Sequence, residues 1–320
     1  MKHTMPKFMP SSLSHQYGFT LIELMISLVL GLLISAAVIQ VTLTSQRVER
    51  VQTAGSEIQD KAVFGLQYIE RQVRLANLGN DGVSINDVTA LGGIVLTASA
   101  DSDGAANVFT IPVLADIYLT SNLDDDDLSN IDDIPSDRLT IQYINTTGRI
   151  LYDCEGSKIL ENEHVITRYF VADAGGTGTN ARKNLNLRCD AGRINSDGTL
   201  EDFTDSGETI IENIDQFNIR LGVQHSADNG VTYQYADMTV EDYMDLDGEK
   251  PAITNIRIAI LARSTANSPD ASADVFNIFG SSQMLKAQPN APKYLRRVYE
   301  SNILLRNARV MRIIDSSSAP

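Results

Sequence analysis

One carboxylate, Glu23, sits at the fifth position of an apolar run that begins at Phe19, and no residue from Leu24 to Gln46 is charged. An ionised group near the end of an apolar helix is expensive unless it is paired, carries a function or is turned to the interface. Two cysteines, Cys154 and Cys189, stand 35 positions apart. In an exported region they are expected to close a disulfide around a strand-loop-strand excursion, worth about 3 to 4 kcal/mol by chain entropy. Two buried free thiols are the alternative. Adding His164 and His225 gives the donor types of a Cys2His2 zinc centre, but the spacings match no zinc module, and no metal site is assigned.

Carboxylates crowd elsewhere. Between Leu75 and Asp137 there are twelve Asp and no Lys or Arg, and four of the Asp run together at Asp124 to Asp127. Clustered carboxylates suit Ca2+ as hard oxygen ligands, and Asp245-Leu246-Asp247-Gly248-Glu249 has the cadence of a calcium loop without its remaining ligand positions. The preferred reading of both is a solvated acidic face. The segment 286–312 is the counterpart: Lys286, Lys293, Arg296, Arg297, Arg306, Arg309 and Arg312 against Glu300 alone. A docking edge for an acidic neighbour or a weak DNA contact is one reading; Arg side chains lying over a last strand and pairing locally is the preferred one.

Catalysis finds no foothold in these residues. Beyond residue 18 the chain has two histidines, and it shows no Gly-x-Ser-x-Gly elbow, no His-Glu-x-x-His and no phosphate-cradling glycine loop. No cofactor is implied. With 26 Lys+Arg against 41 Asp+Glu over 320 residues, the net charge of −15 argues against direct nucleic-acid binding, which rests on clustered cations. A 43% hydrophobic content is too high for a disordered chain and sufficient for a real core.

Several elements must position these groups. The stretch from Phe19 to Leu43 would be about 37 Å long as a helix, enough to cross a bilayer core of about 30 Å. Lys2 and Lys7 precede it within a hydrophilic leader rather than flanking a short apolar region, which is the wrong order for an ordinary secretory signal. They place the leader in the cytoplasm and the chain beyond about residue 45 outside it. Past the span, apolar residues continue at Val48, Val51, Ala54, Ile58, Ala62, Leu66, Ile69, Val73 and Ala76, the spacing of one buried helical stripe, up to a turn at Gly79-Asn80-Asp81-Gly82. Gly31, Gly55 and Gly65 each weaken that helix by about 1 kcal/mol relative to Ala. Strands are expected at 107–114, 138–144, 164–171, 185–189, 208–222, 231–236, 253–263 and 294–306, with 264–282 and the last residues as loop or tail. The fold class is α+β: a long N-terminal helix, half transmembrane and half amphipathic, packed on a mostly antiparallel sheet that wraps the helix's C-terminal half.

The string Gly18-Phe19-Thr20-Leu21-Ile22-Glu23 resembles the processing signal of type IV pilins and type II secretion pseudopilins. That resemblance implies cleavage by prepilin peptidase after Gly18, N-methylation of Phe19, and a mature fifth residue, Glu23, that pairs with the Phe19 amine of a neighbouring subunit and sets the stagger between them. Downstream, YIERQVRLANLG (68–79), ETIIENIDQFNIRLGV (208–223), ITNIRIAILARS (253–264) and RRVYESNILLRN (296–307) are similar to segments of the PilW family of minor pilins. The implied organisation is a cleaved leader over 1–18, a transmembrane and filament-core helix over 19–45, the amphipathic half over 46–78 and a periplasmic β-rich head over 79–320. The implied role is non-enzymatic: priming or capping a type IV pilus. Its partners are then other minor pilins, the major pilin, prepilin peptidase, the inner-membrane assembly platform and a tip adhesin. The protein would start as a single-pass inner-membrane protein with a periplasmic head and end at the pilus tip. A J-like minor pseudopilin of type II secretion is the alternative, and a membrane-anchored periplasmic enzyme or binding module a remoter one.

Overall fold

An uninterrupted run of good helix formers, with no Pro between Pro10 and Pro112, sets up the first element. The computed structural model describes residues 18–80, 84–102, 105–122, 128–175, 182–226, 232–268 and 273–308. Within them, α1 runs from Leu21 to Val73. Its hydrogen bonds then tighten to three-residue spacing, Leu75 N–H to Gln72 O and Ala76 N–H to Val73 O, before Asn77 and Gly79 turn the chain through positive φ. The apolar stripe thus continues to Ala76, although the α-helical turns stop at Val73.

The chain divides into two units, 1–51 and 52–320. In the first, every described residue from Gly18 to Arg50 is exposed. This part of α1 is long and apolar enough to cross a membrane.

The second unit contains the rest of α1 and an antiparallel sheet. Its nine strands are β1 (Ser121–Asn122), β2 (Asp137–Ile144), β3 (His164–Asp173), β4 (Leu185–Ile194), β5 (Leu200–Glu201), β6 (Glu208–His225), β7 (Gln234–Met238), β8 (Ala252–Asn267) and β9 (Tyr294–Leu304). The spatial order is β9-β8-β6-β4-β3-β2-β1, with β7 also pairing β6 and β5 pairing β4. Each pairing is antiparallel. Ile58, Ala62, Leu66, Ile69 and Val73 of α1 share one core with Leu139, Tyr169, Leu187, Ile211, Phe217, Ile258, Ile260 and Ile303 of the strands. Burying each of the larger aliphatic side chains on that helical face is worth about 1.5 to 3 kcal/mol relative to exposure.

The opposite face of the sheet is also covered in places. Ala259 and Leu261 of β8 pack with Ile131, Phe276, Ile278 and Leu285. The last three belong to or follow a hairpin of Val275–Ile278 with Ser281–Met284, a region the sequence pattern reads as loop. The expected loop is corrected to a hairpin because Phe276 and Ile278 alternate inward, a period-2 signal masked by the polar residues around it. Residues 107–114 shrink to a two-residue strand, Val108–Phe109, paired with Ala98–Ser99. Pro112 lacks the N–H that a longer ladder needs. A short helix, α2 (Val240–Met244), also escapes the pattern; Thr239 and Asp242 form its capping box.

Candidate functional site

The start of α1 is built from four residue types in order. Gly18 is exposed, and a Cβ placed on it would have no neighbour within 4 Å. Phe19, at 84% exposure, follows it. Thr20 then caps the helix: its carbonyl accepts from Leu24 N–H at 3.1 Å and its Oγ1 from Glu23 N–H at 3.3 Å. Glu23 lies in the first turn, where a negative charge complements the helix dipole. Thr20-Leu21-Ile22-Glu23 therefore also reads as a helix N-terminus signal, which the spacing contained and the resemblance alone does not express. The arrangement offers an open Gly-Phe peptide followed at once by a capped, apolar, solvent-facing helix.

Cys154 and Cys189 are joined in a disulfide, with Cα atoms 6.4 Å apart. Both sulfurs are thus consumed, which removes the thiolates a zinc centre needs. His164 is held instead by its Nε2 contact of 3.0 Å with Gln142 Oε1, and burial lowers its pKa to about 4. His225 ends β6.

Asp124 to Asp127 lie outside the described residues. Asp245, Asp247 and Glu249 are exposed around the end of α2, and the nearby Lys250 pairs with Asp87 at 3.3 Å. Among the described residues, the carboxylates that converge are others: Glu155, Asp190 and Asp205, one oxygen of each within 4.8 Å of the rest. Sequence spacing hid them. The signal was their attachment to the cysteines, since Glu155 follows Cys154 and Asp190 follows Cys189.

In the basic C-terminal stretch Arg296 pairs locally, and its lone acid Glu300 pairs with Arg257 of the neighbouring strand β8. Arg296 Nε reaches the buried Asp215 at 2.5 Å, and across the strands Arg257 pairs with both Asp237 at 2.8 Å and Glu300 at 3.2 Å. Arg309 and Arg312 lie outside the described residues.

Two family models match the chain. A family described as "Type IV Pilus-assembly protein W" matches residues 168–307, from β3 to just past β9. A family described as "Prokaryotic N-terminal methylation motif" matches residues 13–39, which include Gly18, Phe19 and Glu23. No curated protein matches. Among solved structures, a type IV-like pilin from Thermus thermophilus is similar at 11% identity and a TM-score of 0.36, covering 79% of this chain and 98% of that one.

Proposed function

We propose that this chain, a PilW-like type IV pilin, works as a minor pilin that primes or caps a type IV pilus. The observation that carries the reading is the conjunction of an open Gly18-Phe19 peptide, Glu23 in the first turn of an exposed apolar helix, and a second helical half sealed onto a β-sheet head. The first part suits peptidase access and N-methylation. The apolar half anchors the protein in the inner membrane before assembly and packs among other pilin helices after it, and the head remains on the periplasmic side. The chain acts by assembly, not by turnover. Other minor pilins, the major pilin, the assembly platform and a tip adhesin are its partners in this reading.

The test is genetic and biochemical together. Deleting the gene should abolish or strongly reduce surface pili while leaving protein secretion intact, and re-expression should restore them. Affinity capture of the chain from membranes should bring down other minor pilins. Loss of secretion with normal piliation would move the chain to the type II pseudopilin role instead.

A further inference from the structure

The three carboxylates that converge beside the disulfide are arranged by covalent and backbone constraints, and one of them is incompletely satisfied. Asp190 sits on β4 directly across from Arg168 on β3, and Arg168 Nε donates to its Oδ2 at 2.8 Å. The backbone N–H of Thr204 donates to the same oxygen at 3.1 Å. The other oxygen, Oδ1, is buried and has no hydrogen-bond partner among the described residues, in a residue that is 0% exposed. Arg168 has little left to offer it: its Nη2 donates to the Asp205 carbonyl at 2.8 Å, and its guanidinium lies over the rings of Phe170 and Tyr118 at 4.1 and 4.5 Å. A buried carboxylate oxygen without a donor is costly, so it calls for a cation or a shared proton beside it.

Glu155 and Asp205 approach Asp190 by different routes. The bridge ties Cys154 to Cys189 and so brings the next residue of each, Glu155 and Asp190, to the same place. Glu155 is fixed further by accepting from Ala191 N–H at 3.3 Å. Asp205 is exposed, its Oδ1 accepting from Gly207 N–H at 2.6 Å, so the cluster opens to solvent on that side. Three carboxylates against the single guanidinium of Arg168 leave two negative charges to be balanced.

We propose that Glu155, Asp190 and Asp205 bind a Ca2+ ion, with the orphaned Oδ1 of Asp190 as the buried ligand and water completing the shell from the Asp205 side. A proton on Glu155 would satisfy Oδ1 as well, but it would leave Asp205 facing a charged neighbour. The ligand set is all oxygen, which selects hard cations over Zn2+. Three carboxylates brought from separate segments and open on one side suit Ca2+, which tolerates irregular oxygen shells, better than Mg2+, which demands near-ideal octahedral geometry. A site that is half open and supplies three side chains belongs with extracellular modules that bind Ca2+ at roughly 0.1 to 1 mM.

The experiment uses the full chain in detergent with the disulfide intact, stripped with chelator and titrated with CaCl2 by calorimetry at physiological ionic strength. Saturable binding in the sub-millimolar range is expected, with a rise in Tm in millimolar CaCl2. Glu155→Gln and Asp205→Asn, which change the more accessible ligands, should each weaken binding at least tenfold while leaving the chelated proteins' Tm close to wild type. No heat and no Tm change at 10 mM CaCl2 overturns the site and leaves a proton-sharing carboxyl pair in its place. Binding that is unchanged in both variants overturns it equally, because the ion would then sit elsewhere on this acidic chain. Neither result bears on leader processing or pilus assembly, so the pilin reading stands or falls separately.

Discussion

The carboxylate of Asp137 accepts a hydrogen bond from the backbone N–H of Ile219 at 2.6 Å, 82 positions along the chain. On that side β6 is paired with β4 as far as Ile214 and with β7 from Leu221, so among the described residues the backbone between them has no strand to bond. Ser136 and Asp137, at the start of β2, fill the gap with side chains, Ser136 Oγ accepting from Phe217 N–H at 3.3 Å. Two residues thereby stand in for a missing ladder and hold the centre of the sheet under α1.

The same burial gives this contact a pH signature. Desolvation raises the Asp137 pKa to about 7, against the lowering effect of the hydrogen bonds from Ile219 and Asn218 and the charge of Arg220. Because the folded pKa lies above the unfolded one, the folded state holds the proton more tightly between about pH 4 and pH 7. The stability this group contributes is full below about pH 4 and is lost as pH rises through about 7. Asp137→Asn keeps an acceptor for Ile219 and removes the titration. The difference in Tm, variant minus wild type, should be more positive at pH 8 than at pH 4; an equal difference at both would show that Asp137 titrates normally.

The two glycines in the packed half of α1 predict opposite outcomes. A Cβ on Gly65 would collide with the side chain of Ile211, which is buried in β6, whereas one on Gly55 would meet Leu295 and Arg297 only at ordinary contact, 3.7 and 3.6 Å. Gly55→Ala should therefore stabilise the protein by up to about 1 kcal/mol through helix propensity. Gly65→Val should destabilise it by about 1 to 3 kcal/mol through overpacking. Thermal unfolding of the two variants beside wild type checks both signs.

Removing the bridge by Cys154→Ser with Cys189→Ser frees a 35-residue separation in the unfolded chain and should cost about 3 to 4 kcal/mol. Denaturant titration measures it. Leader removal should be unaffected, because the substitutions change the head and leave the Gly18-Phe19 peptide as it is.

What could be read without coordinates follows from range. The stripe read from Val48 to Ala76 is a local period and gave the helix and, from Ala54 on, its buried face, whereas Val48 is exposed and Val51 only half-buried; the apolar runs around Ile258 and Ile219 gave the strands. The pairing order did not follow, because register depends on residues such as Asp137 and Ile219 that meet only after folding. The hairpin at 275–284 was hidden by short length and polar neighbours. The convergence of Glu155, Asp190 and Asp205 needed two facts at once, the Cys154–Cys189 bridge and the return of the chain after β5. The Gly18 to Glu23 signal is the reverse case: its chemistry is linear, so the string alone expresses it.

Processing is the most direct test of that string. Mass spectrometry of the mature protein should find N-methyl-Phe19 at the N-terminus, and Gly18→Val should leave the leader attached by placing a branched side chain where the peptidase approaches bare backbone. An intact N-terminus in the wild type would contradict the pilin assignment.

Glu23→Ala isolates the carboxylate from everything around it. The substitution leaves Gly18, Phe19 and the apolar span in place. It also leaves the Glu23 backbone N–H, which is the group that Thr20 Oγ1 caps at 3.3 Å, so the helix should start as before. Cleavage and membrane insertion should survive. Assembly should not if the proposed pilin reading holds, because packing among apolar helices slides easily along their axes, and in that reading a charge pair between Glu23 and the Phe19 amine of a neighbour fixes the stagger. N-methylation keeps that amine cationic and preserves the pair. Glu23→Gln separates charge from shape: it retains the volume and hydrogen-bonding capacity but not the ion pair, and should fail as Ala does if charge sets the register. The readouts are co-purification with other minor pilins from membranes and surface pilus yield. Normal cleavage with wild-type levels of both in Glu23→Ala would remove the register role from Glu23 and leave it as a first-turn residue that favours the helix dipole.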